Sequence, residues 1–290
     1  MSTHNYAEKL LVRPGTKITL KDVDPGYHGK HKSHERALPE MQSYLSQIDT
    51  LQYLMYSEGR HSLLIVLQGL DGAGKDGVVR HVLTGMNPEG CVVTGFKQPT
   101  AEDLAHDFLW RVHPHAPGKG SVAIFNRSHY EDVLVVRVHQ LVPEQEWAKR
   151  YDLINEFEKL LVAENNTAIL KFFLHISKEE QLKRFKQRLD DPARNWKISN
   201  SDYKEREYWD EYTRAYEEML YRTSTQHAPW YIVPSNHKWF RNLAISQIIV
   251  RELDGMKMKR PKPSVDLAQI RREYHEAVVH DGTAKRKKAA

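Results

Sequence analysis

The sequence has few of the features that stabilise a secreted or membrane-embedded protein. Its 290 residues include a single cysteine, Cys91, so an intrachain disulfide is impossible. No apolar run approaches the length needed to span a bilayer, and residues 1–8 lack the apolar core of a signal peptide. These absences exclude a disulfide-rich scaffold and a transmembrane protein, and we expect a cytoplasmic protein with no membrane partner.

The composition is that of an ordinary soluble globular protein with a modest excess of positive charge. Hydrophobic residues make up 40% and charged residues 28% of the chain, which argues against extensive disorder. The net charge of +5 and the pI of about 9.0 favour an anionic partner, although solubility alone would also account for them. The length fits one large α/β domain or two small ones, and we favour one domain with appendages.

Three regions follow from the distribution of proline, glycine and charge. For residues 1–33, the scattered proline, glycine and charge predict an N-terminal arm that either wraps a domain edge or stays loose. We expect residues 34–255 to form the main domain. Residues 256–290 form a C-terminal basic extension, and its cationic run at 285–288 is expected to be solvated rather than bound to a polyanion.

A glycine-rich stretch follows the first apolar strand of this domain. Residues 63–77 read LLIVLQGLDGAGKDG and are followed by a helical apolar face over 76–83, which is the strand, turn and helix order of a phosphate-binding P-loop. Lys75 ends the glycine turn and adds a mobile positive charge. The turn contains three glycines, Gly69, Gly72 and Gly74. Their backbone freedom lets successive N–H groups point inward around an anion. The alternative is a turn in which the glycines only permit tight packing.

The P-loop pattern departs from the usual form at one position. Asp76 stands where a Ser or Thr hydroxyl commonly holds magnesium. A metal at this site would therefore take its oxygen ligands from elsewhere, and Asp71 within the loop is the nearest candidate.

A second polar stretch, NRSHYED at residues 126–132, follows the short apolar strand 122–125. In a doubly wound sheet, ligands lie beyond the carboxyl ends of the strands, so this stretch would meet the P-loop if the strands are neighbours. Asp132 or Glu131 could then anchor a metal in phosphoryl transfer. A solvated loop with internal ion pairs is the alternative.

A basic helix after Ser177 is the third candidate for chemistry. Arg184 and Arg188 are four residues apart and share a helical face, so a mobile lid over about 178–200 could clamp phosphates and exclude water. The alternative is a solvated helix whose basic side chains pair with neighbouring carboxylates.

The remaining periodicities predict an α/β fold. Helices are predicted at 34–58, 101–113, from Pro143 to 164, from Asp202 and at 239–253; strands are predicted at 91–96, 168–176 and 230–234. In the helix at 101–113, Leu104 and Phe108 are expected to face inward, after a cap formed by Thr100 and Asp103.

With these stretches in place, the chain resembles the polyphosphate kinase 2 family over about residues 35–255. The resemblance is carried by residues 69–77, by FNRSHYEDVLV at 125–135 and by HISKEEQ at 175–181. It implies a P-loop kinase-like parallel sheet flanked by helices, with a helical lid. The family pattern itself has Asp after the P-loop lysine, which accounts for Asp76.

The resemblance also implies roles for particular residues. Asp71 and Asp132 would bind Mg²⁺, and Lys75 would contact phosphates within the loop of Gly72, Gly74 and Asp76. The implied nucleotide-phosphate contacts are Asn126, Arg127 and Arg137, with Arg184 and Arg188 acting from the lid. Phosphoryl transfer depends on alignment and charge neutralisation, which such a set can provide.

The implied reaction is reversible, Mg²⁺-dependent transfer of the terminal phosphoryl group of inorganic polyphosphate to AMP and ADP, giving ADP and ATP. The sequence at Asn126 and Tyr130–Asp132 resembles the branch of the family that accepts both nucleotides. A physical reason for the difference between branches is that a neutral side chain repels the α-phosphate of AMP less than a carboxylate would. We expect a homo-oligomer that binds no nucleic acid. Two alternatives stay open, namely an ATP-dependent nucleoside monophosphate kinase and a non-catalytic P-loop protein that binds nucleic acid.

Overall fold

A computed structural model of the chain describes residues 5–288, with side chains described for residues 5–280. The chain divides into two compact units, the first ending at Met258 and the second beginning at Lys259. The cationic run at 285–288, expected to be solvated, lies outside the residues whose side chains are described. Within residues 5–288, no helix is long and apolar enough to cross a membrane.

One six-stranded sheet forms the centre of the first unit. In chain order the strands are β1 (Leu11–Val12), β2 (Ser62–Gln68), β3 (Cys91–Gly95), β4 (Val122–Asn126), β5 (Thr167–His175) and β6 (Trp230–Pro234). Their order across the sheet is β1-β6-β5-β2-β4-β3, and all neighbours are parallel except β1 and β6. The predicted parallel sheet is therefore confirmed, with one antiparallel strand added at its edge.

The helices cover both faces of this sheet. Those of the first unit are α1 (Tyr6–Lys9), α2 (His34–Glu58), α3 (Lys75–Val82), α4 (Ala101–Leu104), α5 (Val135–Val138), α6 (Glu144–Asn165), α7 (Lys178–Asp190), α8 (Asn200–Glu207), α9 (Trp209–Thr223) and α10 (Lys238–Gly255). The second unit contains α11 (Leu267–Lys288).

The alternating side chains of β2 explain why helices flank both faces. Leu63, Ile65 and Leu67 join the apolar core that includes residues of α2, α3 and α10, whereas Leu64 and Val66 join the core that includes residues of α6 and α9. Every residue of β2 is buried, as expected for a central parallel strand covered on both faces.

The register of the sheet brings the carboxyl ends of the parallel strands to one edge. Leu67 near the end of β2 pairs with Asn126 at the end of β4, and Gln68 pairs with Phe173 of β5. The P-loop leaves β2 and the polar stretch 126–132 leaves β4, so the two stretches begin beside each other. The expected neighbourhood of these two strands is confirmed.

Three local features differ from the sequence-based expectation or refine it. The predicted helix 101–113 is wrong, because α4 ends at Leu104, whose side chain is 73% exposed, although Thr100 and Asp103 do form the expected capping box. Beyond it the Asp107 carboxylate accepts a hydrogen bond from the Leu109 N–H at 2.9 Å, which favours a turn over a continuing helix. The helix predicted from Asp202 is divided at Tyr208 into α8 and α9.

The N-terminal arm lies along the edge of the sheet. Leu11 and Val12 form β1 and pair with Tyr231 and Trp230 of β6. Tyr6 is fully buried and its ring meets Phe240 of α10 edge to face. These residues of the arm thus pack against β6 and α10.

Candidate active site

The three predicted stretches line one cavity with a volume of about 2340 Å³. Lys75 of the P-loop, Asp132 of the second stretch and Arg184 of α7 all contribute to its wall. Of the predicted site residues, the wall contains every one except Arg137. The tertiary structure thus brings together segments separated by more than a hundred positions in the chain.

The P-loop carries Lys75 at the first position of α3. Gly72 and Gly74 have φ angles of 82° and 106°, which side-chain-bearing residues rarely adopt, so the turn depends on glycine at both positions. The Lys75 ammonium folds back and donates to the Gly69 carbonyl at 2.5 Å. Burial, together with the nearby Arg127, lowers the pKa of Lys75. The loop therefore presents a nearly buried cation at the positive end of a helix.

Arg184 lies beneath the P-loop rather than free on a lid. Its Nη1 donates to the Gly72 and Ala73 carbonyls at 2.9 and 3.0 Å, and its Nη2 donates to the Ser235 and Asn236 carbonyls. The side chain is 5% exposed, and its Nε pairs with Glu180 at 2.8 Å. These carbonyls use most of its donors, so Arg184 of α7 supports the conformation of the loop, a contact that the sequence did not predict.

Arg188 occupies a more open position on the same helix. Its Nη1 donates to the Lys197 carbonyl at 3.1 Å and lies 3.8 Å from Asp202. This arginine therefore connects α7 with the following segment and lines the cavity, as its expected phosphate contact requires.

Arg127 joins the P-loop to the second stretch. Its Nη2 donates to Asp71 at 2.7 Å, and its Nη1 lies 3.4 Å from Glu131. Burial opposes the guanidinium charge, but the Glu131 and Asp71 carboxylates outweigh this effect and raise the pKa of Arg127. Its backbone has a φ of 64°, an uncommon value for a residue with a side chain, which turns the chain sharply after β4.

Asp132 is held between two arginines that the sequence did not single out. Arg150 donates to its Oδ1 at 3.3 Å, and Arg111 lies 3.6 Å from its Oδ2. Burial raises the pKa of Asp132 against the opposing effect of both arginines. Its Oδ2 is buried and accepts no hydrogen bond from the described residues, so this oxygen has capacity for a further partner.

The carboxylates fit a magnesium ion shared with substrate phosphates better than a metal held by protein alone. Across residues 5–280, no three or more His, Cys, Asp and Glu side chains cluster as a ready-made metal site. Mg²⁺ is commonly bound by one or two carboxylates plus substrate phosphates and water. Asp71 and the Asp132 Oδ2, which accepts no hydrogen bond from the described residues, supply oxygen donors of this kind.

Asp76 connects the start of α3 to two other segments. Its Oδ1 accepts a hydrogen bond from Asn126 Nδ2 at 2.9 Å, and its Oδ2 pairs with Lys197 at 3.1 Å. Burial opposes ionisation here, but the bonds from Asn126 and Lys197 outweigh it and lower the pKa of Asp76. The carboxylate at the unusual P-loop position therefore orients Asn126 in this structure.

Arg137 is the predicted residue that lies apart from the cavity. Its Nη1 pairs with Glu218 at 2.6 Å and donates to Tyr151 at 3.3 Å, while its guanidinium lies 4.6 Å from the Trp147 ring centre. An arginine that is paired with a carboxylate and stacked on an aromatic ring stabilises the packing of α5 against α6 and α9, and it does not line the cavity.

Comparison with known proteins agrees with this geometry. The sequence model of the family described as polyphosphate kinase 2 matches residues 29–261. The chain belongs to the polyphosphate kinase 2 family. The match includes the P-loop, the 126–132 stretch and α7, so all three parts of the cavity wall lie in the family region.

Individual relatives are similar over nearly their whole lengths. The AMP/ADP-polyphosphate phosphotransferase of Meiothermus ruber is 48% identical, over 91% of this chain and 98% of that protein. The ADP-polyphosphate phosphotransferase of Rhodopseudomonas palustris is 45% identical, over 92% of this chain and 97% of that protein. The crystal structure of polyphosphate kinase 2 from Arthrobacter aurescens has a TM-score of 0.89 at 40% identity, covering 94% of this chain and 97% of that one.

Proposed function

We propose that this member of the polyphosphate kinase 2 family transfers the terminal phosphoryl group of inorganic polyphosphate to AMP and ADP. The observation that carries the proposal is the single cavity in which Lys75, Asp132 and Arg184 meet. The relatives from Meiothermus ruber, an AMP/ADP-polyphosphate phosphotransferase, and from Rhodopseudomonas palustris, an ADP-polyphosphate phosphotransferase, support this donor and these acceptors.

In the proposed reaction, a terminal phosphate oxygen of the nucleotide attacks the end phosphorus of polyphosphate. The P–O bond to the next phosphate breaks, and polyphosphate leaves one unit shorter. The P-loop N–H groups and Lys75 would hold the donor chain, while Asn126 and Arg127 would orient the acceptor. Arg188 would approach from α7. Such groups act by alignment and by neutralising charge in a site with little water.

Magnesium is the proposed metal, with Asp71 and Asp132 as its protein ligands. When bound, it would neutralise charge on the phosphate oxygens and help to align the donor and acceptor. The chain contributes the contacts that orient these ligands: Arg127 pairs with Asp71, and Arg150 and Arg111 lie against Asp132.

Acceptance of both AMP and ADP is supported by the neutral side chain at position 126. Asn126 lines the cavity and donates to Asp76, whereas a carboxylate at position 126 would add a second negative charge beside Asp76 and repel a nucleotide phosphate more strongly. We further propose a cytoplasmic homo-oligomer, in keeping with the single cysteine and the expectations from the sequence.

The decisive experiment incubates the purified protein with AMP, long-chain polyphosphate and Mg²⁺, with no ATP present. We expect ADP to form first and ATP to follow, while polyphosphate shortens, as followed by ion-exchange chromatography and ³¹P NMR. Parallel reactions without polyphosphate, or with EDTA, should yield neither product.

Two outcomes would contradict the proposal. Formation of ADP from AMP only when ATP is the donor would identify an ATP-dependent monophosphate kinase. Absence of nucleotide turnover, together with salt-sensitive binding of DNA or RNA, would identify a nucleic-acid-binding P-loop protein instead.

A further inference from the structure

Arg241 of α10 is a buried cation that the proposed reaction does not yet use. Its side chain is 2% exposed and its guanidinium lies directly against the P-loop. Nη1 contacts the Ala73 carbonyl at 3.4 Å, while Nε and Nη2 donate to the Asn242 side chain at 3.1 and 2.8 Å. The helix that carries Arg241 is remote in sequence from all three predicted stretches.

Among the described side chains, no Asp or Glu forms an ion pair with the Arg241 guanidinium. Its charged neighbours include two further cations, Arg184 and Lys238. Burial, followed by repulsion from Arg184, lowers the pKa of Arg241 to about 9, so the group is protonated at neutral pH. A buried charge without a partner is costly, and such groups usually acquire one.

The P-loop is shaped to admit this guanidinium. A Cβ atom at Gly74 would lie 1.9 Å from Arg241 Nη1, and a Cβ at Gly77 would lie 2.8 Å from Nη2. Both distances are shorter than real contacts, so a side chain at either position would displace the Arg241 guanidinium, and the φ of 106° at Gly74 favours glycine there independently. The arginine and the loop therefore form one packed unit.

The contacts of Arg241 and Arg184 also set the direction of a backbone amide. Both guanidinium groups face the Ala73 carbonyl, at 3.4 and 3.0 Å. The Ala73 C=O and the Gly74 N–H belong to one planar trans peptide unit and point in opposite directions. Holding the carbonyl beneath the loop therefore turns the Gly74 N–H toward the opposite side, where an anion would bind.

We propose that Arg241 is a positioning residue for the phosphate donor: it orients the P-loop amides through the Ala73 carbonyl, and donor phosphates balance its unpaired charge. This inference rests on the proposed function and goes further by assigning a role to a residue outside the three motifs. It explains why a buried arginine is retained in the core without a carboxylate partner.

The test compares Arg241→Met, Arg241→Lys and the wild type in steady-state kinetics. For Arg241→Met we expect kcat/KM for polyphosphate to fall by about 100-fold, since one charge-assisted support of an anion site is lost. The Kd for AMP, measured by calorimetry without polyphosphate, should change by less than about threefold. Arg241→Lys keeps the charge, so its KM for polyphosphate should lie between those of the wild type and Arg241→Met. Its kcat should stay as low as that of Arg241→Met, because a lysine cannot reproduce the planar, several-donor geometry of the guanidinium.

Thermal unfolding with and without polyphosphate separates this role from simple core packing. Without metal or polyphosphate, the unfolding midpoint of Arg241→Met should lie near that of the wild type, because the variant removes an unbalanced buried charge. Adding polyphosphate should stabilise the wild type much more than Arg241→Met. Arg251→Met is the matched control, because Arg251 is an exposed cation on the same helix and should behave as the wild type in both assays.

Two results would overturn the inference. In the first, Arg241→Met equals the wild type in three quantities: the KM for polyphosphate, kcat and the stabilisation by polyphosphate. The other is a loss of AMP binding as large as the loss with polyphosphate. Absence of polyphosphate-dependent activity in the wild type would instead contradict the proposed function, so the two failures are distinguishable.

Discussion

Two buried lysines of this protein, Lys75 and Lys171, meet different surroundings. Lys171 in the middle of β5 is fully buried and its ammonium has three partners: Glu158 at 2.6 Å, the Tyr130 hydroxyl at 2.8 Å and the Thr223 carbonyl at 2.7 Å. Lys75 is 9% exposed and donates to the Gly69 and Leu70 carbonyls at 2.5 and 3.5 Å. No carboxylate among the described side chains pairs with Lys75.

The difference separates a cation of the scaffold from a cation of the site. Burial opposes ionisation of Glu158, but Lys171 and His129 together outweigh it and lower the pKa of Glu158, so its charge is balanced within the protein. The ammonium of Lys75 donates to carbonyl oxygens, which can be exchanged for phosphate oxygens, and the nearby carboxylates that favour its charge form no ion pair with it among the described side chains. Arg241 and Lys75 share this lack of a carboxylate, and both contact the P-loop.

The largest expected effect is on activity when Lys75 is removed. Lys75→Met should lower kcat/KM by about a thousandfold or more, because a buried cation on the transferred phosphate is lost. Circular dichroism and the unfolding midpoint should stay close to the wild type. Lys119→Met, which removes an exposed lysine, is the control and should keep full activity. Near-normal turnover of Lys75→Met would contradict the assignment of Lys75 to the active site.

The next effect is on stability when Lys171 is removed. Lys171→Met removes the ammonium from the buried Glu158 Oε2, while His129 and the Tyr130 hydroxyl still contact Oε1 at 3.3 and 2.8 Å. The loss of the main balancing charge should lower the free energy of unfolding by about 3–5 kcal/mol in urea titrations. The double variant with Glu158→Gln removes the remaining charge and should be less destabilised than the single variant. A single variant as stable as the wild type would show that the pair is dispensable to the scaffold.

The smallest expected effect is a change in the pH dependence of stability through Asp132. Burial raises the pKa of Asp132 in the folded state, so folding favours the protonated carboxyl. The stability that the protonated carboxyl contributes is therefore lost as the pH rises through this raised pKa. Without Mg²⁺, Asp132→Asn should therefore gain stability relative to the wild type as pH rises from about 4 toward neutrality.

The same substitution should lower activity by about 100-fold, because an amide oxygen is a weaker ligand for Mg²⁺ than a carboxylate. Chemical unfolding at several pH values and assays over a range of Mg²⁺ concentrations would check both effects. A stability difference that is constant with pH would contradict the raised pKa.

Local sequence patterns predicted the parts of the fold that depend on neighbouring residues. The apolar run of β2, the glycines at positive φ and the start of α3 at Lys75 are all local signals, and each appears in the structure. The predicted parallel sheet also holds, because apolar strands alternating with helices leave few other arrangements.

Long-range partners had no comparable signal. Arg111 and Arg150 contact Asp132 from segments 21 and 18 positions away; neither lies in a recognisable motif. Strand β1 has only two residues, Leu11 and Val12, and is defined by its pairing with β6. The helix predicted over 101–113 ended early because hydrogen bonds of Asp107 replaced the helical ones.

By itself, the sequence determined that an apolar strand ends in a glycine turn with a lysine, because these conformational preferences act over a few residues. The tertiary structure decided how each charge is balanced. It placed Arg184 beneath the loop, gave Lys171 a carboxylate and left Arg241 without one, since such partners meet only when the sheet and helices pack together.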